Sequence, residues 1–398
     1  MRTQSASRFT IFFIAVLAAV AVLWLAGIFL SQNHQDPSPL AKPSFGLEDK
    51  DILLYMEAIA KIRENASFLK ADTSREQVVE ESIRDYLTQK DPYSDFLTRE
   101  EYRKFKQSQD DSYVGIGMEI KKTQDGRILC VPYPGGPAAE AGISVGDELK
   151  KIDGISVYGK SVFAVASMAR GKPGTELKLV ISTKSGIDKE VRVRRSAVTI
   201  DSVSTYQVGK TRVIRIVSFT RDTKEKLRRI LRTWETDKPI IIDLRGNAGG
   251  DLHAAIDAAM LLLQKGKRIV SIETRKQPKN YESNVGAANL SSPLYLWQDE
   301  ATASAAEVFI AALTENDRAV SIGKTTFGKG TVQDIIELSD GSAMVLTTGR
   351  LETPHGVSYD GRGLAPTYAV SGDTTMYLTK VEDLAGVKKH RPLEIKIK

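Results

Sequence analysis

The pattern of hydrophobic and polar positions changes character several times along the chain. From Phe9 to Leu30 it is apolar throughout, with no charged residue. As a helix this run would be roughly 33 Å long, enough to cross a bilayer. Arg2 and Arg8 precede it and no acid does, so the positive-inside rule keeps the N-terminus cytoplasmic and puts everything after Ser31 outside. A cleaved signal peptide has a shorter apolar core followed by a small-x-small site. The run here ends Gly27-Ile28-Phe29-Leu30-Ser31-Gln32-Asn33 without such a site, so an uncleaved anchor is expected. Residues 31–46 are polar and carry Pro37, Pro39 and Pro43, the composition of a tether.

From about Leu47 the period becomes helical. Ile52, Met56, Ile59 and Ile62 recur at three- and four-residue steps, and Val78, Val79, Ile83 and Leu87 do the same. Asp91-Pro92-Tyr93-Ser94 is a turn, and Thr98-Arg99-Glu100-Glu101 has the composition of a new helix start. Residues 47–108 read as a helical packing element with no visible chemistry. At Ser112 the texture switches to short strands and glycine turns. Tyr113-Val114-Gly115-Ile116-Gly117-Met118 is a glycine-rich loop entering a strand, and Asp125-Gly126 is a hairpin signal. Gly136-Pro137-Ala138-Ala139-Glu140-Ala141-Gly142 is a short helix with proline at its start and glycine at its end. With Gly146-Asp147-Glu148-Leu149, this order resembles a PDZ domain over residues 109–196. PDZ domains take peptide C-termini by strand addition; the resemblance gives Val114, Gly115, Ile116 and Gly117 as the loop that would receive the carboxylate.

After Val198 strands and helices alternate. Ile240-Ile241-Ile242-Asp243-Leu244 is a run of β-formers of the kind covered on both faces. Strands are expected at Thr211–Val217, Arg268–Thr274, Leu294–Gln298, Val320–Ile322, Thr331–Leu338 and Ser342–Thr348. Helices are expected at Arg221–Thr236, Leu252–Gln264 and Ser304–Leu313. The result is a mixed α/β core over residues 197–370, with residues 371–398 as a tail.

Composition narrows the chemistry. At 398 residues the chain is too long for one ordinary core. A net charge of +6, with no dense Lys/Arg block, argues against a nucleic-acid partner. The lone cysteine, Cys130, sits in the β-like run Ile128-Leu129-Cys130-Val131 and reads as a buried thiol. His34, His253, His355 and His390 lack metal-ligand spacing, and no cofactor or metal is expected.

Ser304 stands where a strand hands over to a helix. Ser304-Ala305-Ala306-Glu307 has the form of a capping box, but a helix start also offers free N–H groups and a positive dipole end. The N–H of Ala305 would then be an oxyanion donor beside a nucleophilic hydroxyl. Lys329, between Gly328 and Gly330, serves as a base only if burial lowers its pKa. Phe327 and Val332 are the neighbours expected to bury it, and Gln333 the one to fix its rotamer. Arg245-Gly246-Asn247-Ala248-Gly249-Gly250 joins the buried strand to a helix and leaves N–H groups unpaired. Gly323–Gly330 nearly matches a phosphate-binding loop, but Gly330 stands where Ser or Thr must hold magnesium, and a β-rich stretch follows. The nucleotide reading is rejected.

Taken together, Asp243-Leu244-Arg245-Gly246-Asn247-x-Gly249-Gly250, Ser304-Ala305-x-Glu307, Phe327-Gly328-Lys329-Gly330-Thr331-Val332-Gln333, Thr353-Pro354-x-Gly356 and Gly361-x-Gly363-Leu364-x-Pro366 follow the PDZ-like region in that order. The chain resembles the carboxyl-terminal processing peptidases, or tail-specific proteases, over about residues 47–370. The resemblance implies Ser304 as nucleophile, Lys329 as general base and Gln333 as the residue orienting it. It implies an oxyanion hole from Ala305 and a glycine of the loop, Gly250 in preference to Gly249. Thr302 and Ala306 depart from the family's alternating serines, and Thr367 stands where the family often has Asp. The expected protein is α/β and multi-domain: an N-terminal transmembrane helix, a helical cap region, a PDZ-like β-rich domain and a mixed α/β peptidase core. It would cleave polypeptides with accessible C-termini outside the cytoplasmic membrane, with a homo-oligomer or regulatory partner left open. The alternative is a non-catalytic tethered PDZ adaptor on a peptidase-like scaffold. A Ser–His hydrolase using His253 or His355 finds no convincing carboxylate.

Overall fold

A computed structural model describes residues 49–68, 73–107, 114–197, 201–235, 238–284 and 292–389. The chain divides into a unit ending at Val79 and a unit beginning at Glu80. The first contains helix α1 (Asp49–Asn65), whose Ile52, Leu53 and Leu54 are exposed. Helix α2 (Arg75–Lys90) runs on into the second. No helix among the described residues is long and apolar enough to cross a membrane; the expected anchor, Phe9–Leu30, lies outside them.

The region expected to be purely helical also contains a strand. After the turn at Asp91–Ser94 comes β1 (Asp95–Leu97), fully buried, and then helix α3 (Arg99–Gln107). A three-residue strand carries too little alternation to announce itself, and its partner lies far along the sequence.

The following β-rich region holds β2 (Val114–Gly115), β3 (Met118–Lys122), β4 (Ile128–Pro132), the short helix α4 (Pro137–Glu140), β5 (Glu148–Ile152) and β6 (Ile155–Ser156). Then come helix α5 (Val162–Ala169), capped by the Ser161 hydroxyl, β7 (Glu176–Ser182), β8 (Asp188–Arg194) and β9 (Ser196–Ala197). The strands β3-β4-β5-β7-β8 form one antiparallel sheet, with β3 at its edge. Their inward residues, among them Ile128, Leu149, Leu177, Leu179 and Val193, pack with Val165 of α5 in a separate core. Cys130 lies in that core, and burial pushes its thiol up to about 12.

The second core is built on β10 (Val203–Val208), β11 (Thr211–Ile216), β12 (Ile240–Asp243), β15 (Leu294–Gln298), β16 (Ala319–Gly323) and β19 (Tyr368–Ala369), in that spatial order. From β11 onward the pairing is parallel. Ile240, Ile242, Leu294 and Leu296 face helices α6 (Thr223–Arg232), α7 (Leu252–Met260) and α8 (Ala305–Thr314). Ile241, Tyr295 and Trp297 face the other way, onto Tyr377, Leu378 and Val381 of helix α9 (Thr374–Lys389). The run Ile240–Asp243 is thus covered on both faces, and the residues read as a tail supply one of the covers. A second sheet joins β1, β13 (Arg268–Thr274), β14 (Lys279–Glu282), β17 (Thr331–Glu337) and β18 (Ala343–Glu352).

Strand register positions the site. In parallel neighbours the carboxyl ends lie side by side, and the loops leaving them converge. Here Asp243 pairs with Trp297, and Gln298 with Gly323. The loops after β12, β15 and β16 carry the glycine run, Ser304 and Lys329 respectively.

Candidate active site

Ser304 precedes α8 but is no ordinary cap. Its φ of 56° and ψ of −121° lie outside the extended conformation that capping residues adopt. A non-glycine residue held there costs about 1–3 kcal/mol and persists only where its surroundings dictate it. They do so here. Thr302 Oγ1 donates to Leu244 O at the end of β12 (2.9 Å), and Ala303 N donates to Asn247 O (2.9 Å). Thr302 therefore provides a hydroxyl anchor. Ala306 is fully buried, and Thr367 N donates to Ser321 Oγ (2.9 Å).

Glu307 ties the serine loop to the lysine loop. The sequence offers it as the second half of a capping box, and its Oε2 does accept from Ser304 N (2.8 Å). The same oxygen accepts from Lys329 N (2.9 Å). Oε1 accepts from Gly328 N (2.7 Å) and Thr326 Oγ1 (2.5 Å). One carboxylate oxygen thus holds the backbone nitrogens of both candidate catalytic residues. Burial pushes the Glu307 carboxyl above its usual range, against the pull of these hydrogen bonds.

Lys329 lies just before β17, not on it. Its Nζ donates to Gln333 Oε1 (2.6 Å), while Gln333 Nε2 donates to Thr331 Oγ1 and Thr347 Oγ1, both at 3.0 Å. The ammonium, which only donates, turns the amide oxygen toward the lysine, and the two hydroxyls accept from the other end. A register shift between Val332 and Gln333 accompanies this arrangement. Some of the Lys329 side chain touches solvent, yet its ammonium is closely packed. Burial pulls its pKa down to about 8, with the carboxylates of Asp360, Asp91 and Glu307 pulling the other way.

The covering ring is not one the sequence suggested. Tyr93, in the turn before β1, sits with its ring centroid 5.0 Å from Nζ. Ser94 Oγ accepts from Thr347 N (3.1 Å) and fixes that turn to β18. Phe327 instead faces Lys121 Nζ at 5.1 Å, and Val332 packs on the main core. Among the described residues Lys329 Nζ makes no hydrogen bond to Ser304 Oγ; its bond goes to Gln333.

Glycines around the lysine are required by close packing. A Cβ at Gly328 would lie 2.6 Å from Gly363 N, and one at Gly330 would lie 2.8 Å from Asp360 N. This is why Phe327-Gly328-Lys329-Gly330 and Gly361-x-Gly363 occur together.

The glycine loop comes close to the serine: a Cβ at Gly249 would be 2.9 Å from Ser304 Cβ. Gly249 N is already committed to Asn247 Oδ1 (2.8 Å). Among the described residues no acceptor is hydrogen-bonded to Gly250 N or Ala305 N. The two free donors are therefore Ala305 and Gly250, with Gly249 serving as the close approach.

In the β-rich region, Val114 and Gly115 pair with Ala197 and Ser196, Ile116 is buried, and Gly117 has φ 66°. This loop opens directly onto the edge strand β3. The two histidines lie apart from the serine's hydrogen bonds: His253 stacks edge-on against Tyr281, and His355 pairs with Glu315 at 3.4 Å.

The fold and site define a two-part protein, a peptide-binding β-domain joined to an α/β hydrolytic core. Residues 128–182 match the PDZ domain family and residues 210–370 match peptidase family S41. A "Probable CtpA-like serine protease" of Staphylococcus aureus (strain COL) is 32% identical over 92% of this chain and 72% of its own length. The "Carboxy-terminal processing protease CtpA" of Bacillus subtilis (strain 168) is 32% identical over 89% of this chain and 76% of its own. The solved photosystem II D1 C-terminal processing protease shares the fold, with a TM-score of 0.67 at 24% identity over 80% of this chain and 92% of its own. The chain belongs to peptidase family S41, among the carboxy-terminal processing proteases, and is a serine-type peptidase with a PDZ domain. That membership favours the enzyme over the adaptor.

Proposed function

We propose that this chain is a membrane-anchored endopeptidase that cleaves through a Ser304–Lys329 dyad. The observation that carries the reading is the Glu307 carboxylate, which holds the backbones of both residues while burial depresses the Lys329 ammonium. The neutral Lys329 amine takes the Ser304 hydroxyl proton as Oγ bonds to the scissile carbonyl carbon. The carbonyl oxygen becomes an oxyanion, which accepts from Ala305 N–H and Gly250 N–H. The C–N bond then breaks, and Lys329 passes its proton to the leaving amine. Water attacks the acyl-enzyme carbonyl, giving a proton to Lys329; as the acyl C–O bond to Ser304 breaks, Lys329 passes that proton to Oγ and the new carboxyl terminus is released. Gln333 keeps the amine aimed throughout.

The substrate class is polypeptide with a free C-terminus, received at Val114–Gly117 and extending strand β3. The apolar run Phe9–Leu30 anchors the chain in the cytoplasmic membrane, with the catalytic part outside. Ser304→Ala and Lys329→Ala each lower cleavage of an unfolded protein by at least ~10³-fold while the melting temperature stays close to that of the parent. Parent-like turnover by either variant refutes the dyad.

A further inference from the structure

A cavity of about 620 Å³ opens between the PDZ domain and the peptidase core, and its walls contain neither Ser304 nor Lys329. Lys121 on β3 and Lys184 stand on the PDZ side; Arg215, Arg245 and Lys324 stand on the core side. The acids on the wall are Asp299 and Glu300.

The charges do not cancel within the cavity. Arg215 and Arg245 share the buried Asp243, at 2.8 and 2.9 Å. Lys324 pairs with Glu300 at 3.2 Å. Lys184 has no ion pair among the described residues. Lys121 is 7% exposed, and among the described residues its Nζ has no hydrogen-bond partner. The carboxylates whose charge reaches it are engaged elsewhere. Asp299 Oδ1 accepts from Gly246 N (2.8 Å) and Ala301 N (3.0 Å). Glu119 bonds Tyr133 and Ser218, and Glu307 holds the catalytic loops. Burial pulls the Lys121 ammonium down to about 8, the same direction and cause as at Lys329.

A buried cation without an acceptor is costly and points to a missing partner. The cavity wall includes Ala301, on the loop to Ser304, and Phe327, on the loop to Lys329, while β3 is the free edge of the PDZ sheet. The space thus adjoins strand β3 through Lys121 and both loops of the candidate site. We propose that the cavity is an acidic-residue subsite: it takes an Asp or Glu side chain of the substrate, whose carboxylate becomes the acceptor that Lys121 lacks, with Lys184 beside it. The four-carbon stem of Lys121 lets the ammonium swing toward that carboxylate. The proposal rests on the peptidase reading for its ligand, with the substrate's own C-terminus assigned to Val114–Gly117.

The test uses the full chain carrying Ser304→Ala, so that binding is read without cleavage. An uncharged Gln-rich peptide with a free C-terminus is compared by calorimetry with peptides in which one Glu replaces each Gln in turn. Glu at one or two neighbouring positions is expected to tighten binding about tenfold, and raised salt to erode the gain. Lys121→Met brings the Glu/Gln ratio to about one and Lys121→Arg retains the preference; Lys184→Gln weakens it and serves should Lys121→Met fail to fold. A flat scan on the Lys121 chain overturns the proposal, as does a preference that survives Lys121→Met. So does tight binding of inorganic phosphate with no discrimination among the peptides, which would make the cavity a free-anion site. Cleavage by the Ser304 chain is measured separately, so a failed dyad is distinguished from a failed subsite.

Discussion

At the scale of single residues, the proposed chemistry turns on the protonation of Lys329. Its pKa is lowered to about 8 by burial. Below that value the amine is an ammonium with no lone pair to accept the Ser304 proton; above it the base is free. Cleavage should therefore climb as pH rises through about 8, and a profile flat from pH 6 to 9 would contradict the role. Gln333→Ala releases the amine from its fixed aim and is expected to lower kcat roughly tenfold to a hundredfold, by analogy with other orienting partners. Gly250 has φ 116°, and a Cβ there would lie 2.2 Å from Phe219 O. Gly250→Ala should cost more than ~1 kcal/mol of stability and disturb the proposed oxyanion donor. A melt unchanged from the parent would show that the loop tolerates a side chain.

At the scale of elements, Glu307 links the start of α8 to the loop before β17. Glu307→Gln places an NH₂ against backbone N–H donors that now share a carboxylate. A loss of about 2 kcal/mol or more is expected, since buried donors lose acceptors. Activity should fall as well, and its acid limb should move to lower pH, because removing the Glu307 charge removes one of the influences raising the Lys329 pKa. A limb that stays put would confine Glu307 to scaffolding. What the sequence revealed at this scale follows from local pattern. The run Ile240–Leu244 reads as a strand covered on both faces, whereas Ser304 and Lys329, each ordinary in isolation, stand out only through the resemblance to the carboxyl-terminal processing peptidases. What it hid is tertiary. Tyr93 sits in a turn among helices, and only the pairing of β1 with β18 carries it to Lys329. Glu307 looked like a local cap because its other partners come from a distant loop. Helix α9 is not legible locally, because Tyr377, Leu378 and Val381 stand among polar residues and form a buried face only against the sheet.

At the scale of the whole molecule, the anchor reading makes a separate prediction. The full chain should sediment with membranes and resist alkaline extraction, with sites beyond Ser31 open to protease added from outside the cell. Removing Phe9–Leu30 should release it. Recovery of the full chain in the soluble fraction would count against the anchor. The candidate site draws on widely separated parts of the sequence: the Tyr93 ring, the glycine loop near Gly250, the Ser304 hydroxyl, the amine at Lys329 and the Asp360 carboxylate accepting from Gly330 N (2.9 Å). A nascent polypeptide emerging from the ribosome lacks the last of these until synthesis has passed Asp360. A product terminated before Asp360 would lack that acceptor, and the turn carrying Lys329 would lose one of its fixed points.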